Sequence, residues 1–530
     1  MKTLSVPELA AMLSDGGRFP HRAFALLDIR EAGEAERGHV PDATFLPRRQ
    51  IEFRIADLVP VRSTPIVIYG GEDGRAELAQ ATLAHLGYTD VRVLDGGFPA
   101  WAAAGHEVVT GSNVPSKQFG ERVLAEQRIP YLTAEDLSRR IAAGESIVVC
   151  DSRTPGEFKL ACIPGAYSEP SFDLTLQYAR LTSEYETVVV NCAGRTRSII
   201  GTATLQALGL PRVYALENGT MGWVLAGLTL ERGAERRLPA PDATQKGAGE
   251  EAAARLAREH GIARVDAAQL ARWLDAKERE TTYVIDVRPL EEYTQGHVPG
   301  SQCVTGGQAC QRTDDFIALH AARIVMVDED EARALVTAYW YQRMGFRDVS
   351  VLQGGVAQWK REGRAVETGR GHREPLGIAE ARGRAKGLSI DAFAAWRREH
   401  PEAPLIDVGT SRQFGAGHVA GSRWLPRGWI EARIGGVAAP GQPVGVTASD
   451  AQQACFAAAT LAAMGYGAVF LDASLNAWKR AGQAVETGLA GIEGEANDVI
   501  EPPYQKGREE MLRYIEWETK LVHEAHAPRA

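Results

Sequence analysis

Val188-Val189-Val190-Asn191-Cys192-Ala193-Gly194-Arg195-Thr196-Arg197-Ser198 reads as an apolar strand that runs into a helix through a loop of small and basic residues. The helical pattern that follows ends at Gly209, where glycine suits the C-terminal cap. A cysteine that leaves a buried strand just before a helix meets unpaired N–H donors and the positive end of the helix dipole. Both favour thiolate over thiol. Arg195 and Arg197 add positive charge, and small Ala193 and Gly194 let the loop curl its amides toward one sulfur or bound anion. In an α/β sheet this loop, at the carboxyl end of a strand, is where ligands meet the backbone.

The pattern recurs three more times. Strands Ile66-Val67-Ile68-Tyr69, Ile324-Val325-Met326-Val327 and Val444-Gly445-Val446-Thr447 each precede a helical pattern that ends at Gly87, Gly345 and Gly465. Upstream of all four lies another apolar strand that ends in aspartate: Asp28, Asp151, Asp286 and Asp407. Eleven residues beyond each aspartate stands His39, Cys162, His297 or His418, and each repeat closes on a turn and a tryptophan, Trp101, Trp223, Trp359 or Trp478. Strands alternating with helices in units of roughly 110 residues predict a parallel sheet covered by helices, and so long a period means tandem domains. The expected fold is α/β, with four domains over residues 1–112, 129–235, 261–370 and 387–490 and a helical tail at 491–530. The longest interval between the aspartates, 151 to 286, holds the polar stretch Pro239 to His260, and Gln-Lys-Gly opens both this stretch (Gln245) and the tail (Gln505). A duplicated two-domain unit is the simplest account, pairing repeat one with two and three with four.

At 530 residues the chain exceeds what one hydrophobic core supports. A net charge of -9 argues against a nucleic-acid partner, which would demand a basic face. The start, Met1 to Glu8, has no apolar signal core and no apolar stretch is long enough to span a bilayer, so the expected location is cytoplasmic with no membrane partner. Six cysteines without a CxxC pair do not make a disulfide framework, and the twelve histidines are scattered. No metal and no cofactor is therefore expected, and cysteine chemistry should be that of one reactive thiol.

The repeats act as internal controls. At the position of Cys192 they carry Gly70, Asp328 and Ala448, and at that of Arg197 they carry Arg75, Arg333 and Gln453. Asp151 and Arg153 have counterparts in Asp28/Arg30 and Asp286/Arg288, so they read as a structural charge pair that anchors the loop, with Glu157, Glu34 or Glu292 as further partners. The tryptophans read as packing residues. Cys150 and Cys455 align with apolar residues, Cys303 and Cys310 have no telling spacing, and Cys162 stands where the other repeats have histidine. A packing role is favoured for Cys162 over that of a resolving thiol.

The Asp-x-Arg after the first strand, the turns Gly38-His39-Val40-Pro41 and Gly296-His297-Val298-Pro299, the six-residue loop Cys192–Arg197 and Asp95-Gly96-Gly97-Phe98-Pro99-Ala100-Trp101 together resemble the rhodanese superfamily of sulfurtransferases. The resemblance implies four rhodanese-like domains, with repeat two catalytic and the others inactive, and a ping-pong reaction through a Cys192 persulfide. Cys192 and Arg197 would be catalytic, while Ala193, Gly194, Arg195, Thr196 and Ser198 would bind the substrate. The implied partners are a small anionic sulfur donor and a thiol or protein acceptor, with cyanide as acceptor in vitro. Relatives that use mercaptopyruvate tend to have a loop short of basic residues, so the two arginines favour thiosulfate; mercaptopyruvate or a persulfide is the alternative donor. Cysteine-dependent phosphatases that share the fold have one residue more between cysteine and arginine than the four found here. A largely non-catalytic binding scaffold is the alternative of another class, in which repeat one would shape the cleft beside Cys192 and the second pair would stabilise the molecule or dock an acceptor.

Overall fold

A computed structural model describes residues 2–14, 22–371, 373–492 and 494–523. Met1, residues 15–21 of the first expected domain, and residues 493 and 524–530 of the expected tail lie outside the described residues. Each repeat folds as a five-stranded sheet in which every pairing is parallel and the strands, numbered within the repeat, lie in the order 1-5-4-2-3. In repeat two these strands are Tyr131–Leu132, Ile147–Asp151, Tyr167–Ser168, Thr187–Asn191 and Val213–Leu216. The two central strands hold Asp151 and Asn191 side by side, in register, at the carboxyl edge.

Alternation along these strands serves both faces of the sheet. Val149 and Val189 pack with Phe158 and Trp223 on one face, and Val148, Cys150, Val188 and Val190 pack with Leu174 and Leu205 on the other. The helices after the fourth strands, Arg75–His85, Thr196–Ala207, Ala332–Arg343 and Ala451–Ala463, stop two residues before Gly87, Gly209, Gly345 and Gly465. All four glycines have positive φ, as the C-terminal cap of a helix requires. The four tryptophans are buried packing residues, and each indole N–H donates to a backbone carbonyl six residues further on.

The pairing of repeats differs from the expected tandem order. One compact unit contains repeats one and four, and the other contains repeats two and three. Side-chain complementarity decides this. In the first unit, Arg427 pairs with Glu52, Arg75 lies 3.6 Å over the Trp429 ring and Phe53 meets Phe456 edge to face. In the second unit, helices Thr196–Ala207 and Ala332–Arg343 are buried nearly all round, and the Trp340 indole donates to Thr204 Oγ1 at 2.7 Å. Gly306 and Gly307 touch Phe172 and Ser171 so closely that a Cβ at either would overlap them.

The stretch expected as one tail also divides. The Asp498 carboxylate accepts from the Ser411 amide and hydroxyl, which ties residues up to 500 to repeat four, whereas helix Arg508–Lys520 joins the second unit. The tail thus docks within the chain through Met511 and Leu521. Residues between the first two expected domains form helix Val114–Gln127, which packs against the start of the Cys192 helix, with Gly120 close to Thr196. No helix among the described residues is long and apolar enough to cross a membrane.

Candidate active site

Cys192 follows strand Thr187–Asn191 directly, and its surroundings are braced by the fold. The Asn191 amide donates to Asp151 at 2.9 Å, and Arg153 grips Asp151 through two nitrogens at 2.9 and 2.7 Å while also donating to the Ala161 carbonyl. Arg30 and Arg288 repeat this arrangement with Asp28 and Gly38, and with Asp286 and Gly296. The Asp-x-Arg pairs are therefore loop anchors. On the other side of the site, the amide and hydroxyl of Thr220 donate to the Cys192 carbonyl at 2.8 and 2.9 Å, and the Met221 amide donates to the Ala193 carbonyl at 3.0 Å. This close approach requires Gly219, which has φ +54° and no room for a Cβ against the Cys192 carbonyl oxygen.

The Cys192 sulfur lies 3.4 Å from Ser198 Oγ, and the Ser198 amide also faces it. Cys192 is only 2% exposed. Burial pushes its thiol above the usual cysteine range, against the opposing pull of Arg197 and the Ser198 hydrogen bonds, while Glu518 adds to the upward push. Desolvation therefore works against the helix terminus and the arginines, which favour thiolate, at this position.

A cavity of about 160 Å³ opens beside the sulfur. Of the predicted site residues, Cys192, Ala193, Gly194, Arg195, Thr196 and Arg197 line it, and Ser198 contacts the sulfur from behind. Its other walls come from Gln311 of repeat three and from the C-terminal segment, including Tyr504, Tyr514 and Glu518. The walls of the cleft are thus not those expected from repeat one.

Both arginines already hold carboxylates. Arg197 donates twice to Glu157 at 2.9 Å, and Arg195 donates to Glu121 at 2.5 and 2.7 Å and to Asn218 at 2.9 Å. Burial alone would raise the Glu157 carboxyl, but Arg197 and the Thr154 cap bring it down to about 2. The equivalent pairs Arg75–Glu34 and Arg333–Glu292 occur in repeats with no thiol at the strand-to-helix turn. Glu34, Glu157 and Glu292 therefore partner the helix arginines and not the Asp-x-Arg arginines. In repeat four both members are lost together, leaving Gln413 and Gln453.

Repeat three shows what this strand-to-helix turn does to an anion. Asp328 occupies the Cys192 position and accepts from the amides of Glu329 and Arg333 at 2.8 and 2.7 Å. Burial would raise its carboxyl, yet Arg333 and these amides hold it below the ordinary aspartate range. The turn stabilises negative charge when its donors are in contact.

Cys162 is fully buried in the core of repeat two, exchanges backbone hydrogen bonds with Glu231, and has its thiol pushed up to about 11 mainly by burial. It does not line the cavity. Cys150 and Cys455 are core residues, Cys310 is buried and Cys303 is half-buried. Sequence reasoning missed Glu121, Gln311, Tyr514 and Glu518. Glu121 and Glu518 lie in segments 113–128 and 501–523, outside the four repeats whose comparison singled out Cys192. Among the described residues, no group of three or more His, Cys, Asp or Glu is placed to hold a metal.

Four sheets of one topology, with a thiol at the strand-to-helix turn of one of them, define a multidomain α/β protein built around a single cysteine site. The rhodanese-like domain family matches residues 5–104, 133–226 and 266–362, more than half of the chain. The crystal structure of thiosulfate sulfurtransferase from Pseudomonas aeruginosa is 36% identical, covers 99% of this chain and 97% of its own, and superposes with a TM-score of 0.88. A thiosulfate sulfurtransferase from Pseudomonas aeruginosa is 24% identical over 37% of this chain and 87% of that protein. A sulfurtransferase from Allochromatium vinosum is 30% identical over 19% of this chain and 92% of its own length. The chain belongs to the rhodanese family and is a sulfurtransferase of that type.

Proposed function

We propose that the chain moves sulfane sulfur from thiosulfate to a thiophilic acceptor through a persulfide on Cys192. One observation carries this reading: the single cysteine among the four equivalent turns lines a cavity together with two guanidiniums, whereas its counterparts are Gly70, Asp328 and Ala448. The relatives named for thiosulfate support the choice of donor. In the first half-reaction the Cys192 thiolate attacks the outer sulfur of thiosulfate. The sulfur–sulfonate bond breaks, and sulfite leaves with the bonding pair. In the second half-reaction an acceptor, cyanide in vitro or a thiol in the cell, takes the outer sulfur and returns Cys192 to thiolate.

Arg197 Nε is buried and has no hydrogen-bond partner among the described residues, which leaves it for a sulfonate oxygen. Loop amides that act on Asp328 in repeat three would act on the persulfide here. The six free thiols fit a reducing compartment, and the cytoplasm is the proposed location. Intact-protein mass spectrometry after incubation with thiosulfate tests the reading. A gain of one sulfur is expected, lost on adding a thiol and absent in Cys192→Ala. No gain in the wild-type protein refutes it.

A further inference from the structure

The C-terminal helix Arg508–Lys520 places a carboxylate in the wall of the sulfur-transfer cavity. Glu518 is 1% exposed and lines the same cavity as Cys192. Its Oε1 accepts from Thr196 Oγ1, at the first turn of the Cys192 helix, at 2.8 Å. Its Oε2 is buried, has no hydrogen-bond partner among the described residues, and lies 3.6 Å from where a Cβ of Gly194 would stand. A buried carboxylate oxygen left unpaired is costly unless a ligand completes it.

The charges around it do not supply that partner. Arg195 is held by Glu121 and Arg197 by Glu157. Neither guanidinium that lines the cavity is therefore paired with Glu518. Lys117, 5.2 and 4.9 Å from the centroids of the Tyr514 and Trp517 rings, is not among the residues that line the cavity. The Tyr514 ring, beside Glu518 in the cavity wall, is an aromatic face of the kind that attracts cations. A cavity of about 160 Å³ suits a very small molecule, since one of roughly 150 Å³ admits benzene.

We propose that Glu518 sets the charge preference of this cavity, and that the sulfur acceptor it admits is a small thiol bearing an ammonium group. The inference rests on the reading of Cys192 as the sulfur carrier. The ammonium group pairs with Glu518 Oε2 while the acceptor thiolate attacks the outer sulfur of Cys192–S–S⁻. A new sulfur–sulfur bond forms to the acceptor. The bond to Cys192 breaks, its electron pair stays on Cys192 as thiolate, and the acceptor leaves as its own persulfide. The proton of the acceptor thiol goes to solvent. The same carboxylate opposes the dianionic donor and favours departure of dianionic sulfite, so the two half-reactions respond to Glu518 with opposite sign.

The test loads the full-length protein with thiosulfate and measures discharge by cysteamine, 2-mercaptoethanol and mercaptoacetate at equal thiolate concentration. The expected order is cysteamine, then mercaptoethanol, then mercaptoacetate. The first step is roughly tenfold, the scale of one hydrogen bond to a charged group. Glu518→Gln should bring the cysteamine-to-mercaptoethanol ratio near one while accelerating loading by thiosulfate several-fold, a combination that loss of folding does not produce. A ratio near one in the wild-type protein, or a ratio unchanged in Glu518→Gln, overturns the proposal; the wild-type ranking decides even if the variant does not fold. A second readout needs no sulfur transfer: ethanolamine should slow alkylation of Cys192 by iodoacetamide in the wild-type protein and not in Glu518→Gln. Absence of that protection counts against the proposal, whereas failure to load with thiosulfate counts against the donor reading alone.

Discussion

Substituting Gly219 by alanine tests whether the turn after the fifth strand positions Cys192. A Cβ at Gly219 would overlap the Cys192 carbonyl oxygen and stand 2.9 Å from the Cys192 carbonyl carbon and 2.8 Å from the Gly194 oxygen. Non-bonded carbon contacts settle at about 3.5 Å or more, so the loop must retreat by at least about 0.6 Å. Alanine at positive φ adds about 1 kcal/mol of backbone strain. The retreat loosens the Thr220 and Met221 amides from the carbonyls of Cys192 and Ala193, and a misplacement on this scale costs on the order of 10²-fold in rate. Gly97→Ala and Gly355→Ala provide matched controls. Each Cβ would overlap the corresponding carbonyl of Gly70 or Asp328, in repeats without a thiol at this turn. All three variants should lose stability by similar amounts, measured by denaturant unfolding. Only Gly219→Ala should lose persulfide formation, measured by stopped-time mass spectrometry with thiosulfate. Equal loss of activity in all three, or full activity in a folded Gly219→Ala, would refute the positioning role.

Two predictions concern pH. Asp407 lacks the arginine that partners its counterparts, since Gly409 stands where Arg30, Arg153 and Arg288 stand, and burial raises its carboxyl to about 6 despite the Gly409 amide and Thr447 hydroxyl. Its folded value lies above the unfolded one, so its contribution is full below about pH 4 and is lost as pH rises through about 6. Asp407→Asn should remove about 2–3 kcal/mol of this pH-dependent loss, read as the difference between the two unfolding curves at pH 4 and pH 7. Glu157 behaves in the opposite sense: Arg197 holds its carboxyl at about 2, so its contribution is present above the unfolded value and disappears as pH falls through about 2. Glu157→Gln should cost about 2–3 kcal/mol at pH 7, with the gap to wild type narrowing below pH 4; a gap independent of pH would show that the ion pair is not its source.

Much of the site was legible because strand, turn and helix are local in sequence. The apolar runs ending at Asp151 and Asn191 became the two central strands, and Cys192 emerged at the turn between strand and helix. Comparison among repeats also separated fold from chemistry, since Asp151–Arg153 and its two counterparts make the same loop anchor. The burial that pushes the Cys192 thiol upward was not legible, because desolvation depends on what covers the sulfur and not on the loop that carries it. Nor were the partners of Arg195 and Arg197, which come from helices far away in sequence or from the neighbouring crossover.

By itself, the sequence determined four α/β repeats and a single cysteine among their four strand-to-helix turns, because hydrophobic period and turn glycines are encoded within each repeat and the turn residues can be compared between them. Tertiary structure alone decided that repeat two pairs with repeat three and repeat one with repeat four. It also brought Glu121 from the 113–128 helix and Glu518 from the C-terminal helix to the thiol site. The physical reason is range. Propensity and periodicity act over a few residues, whereas the charge and desolvation that set the chemistry of Cys192 are sums over every segment that packing brings near it.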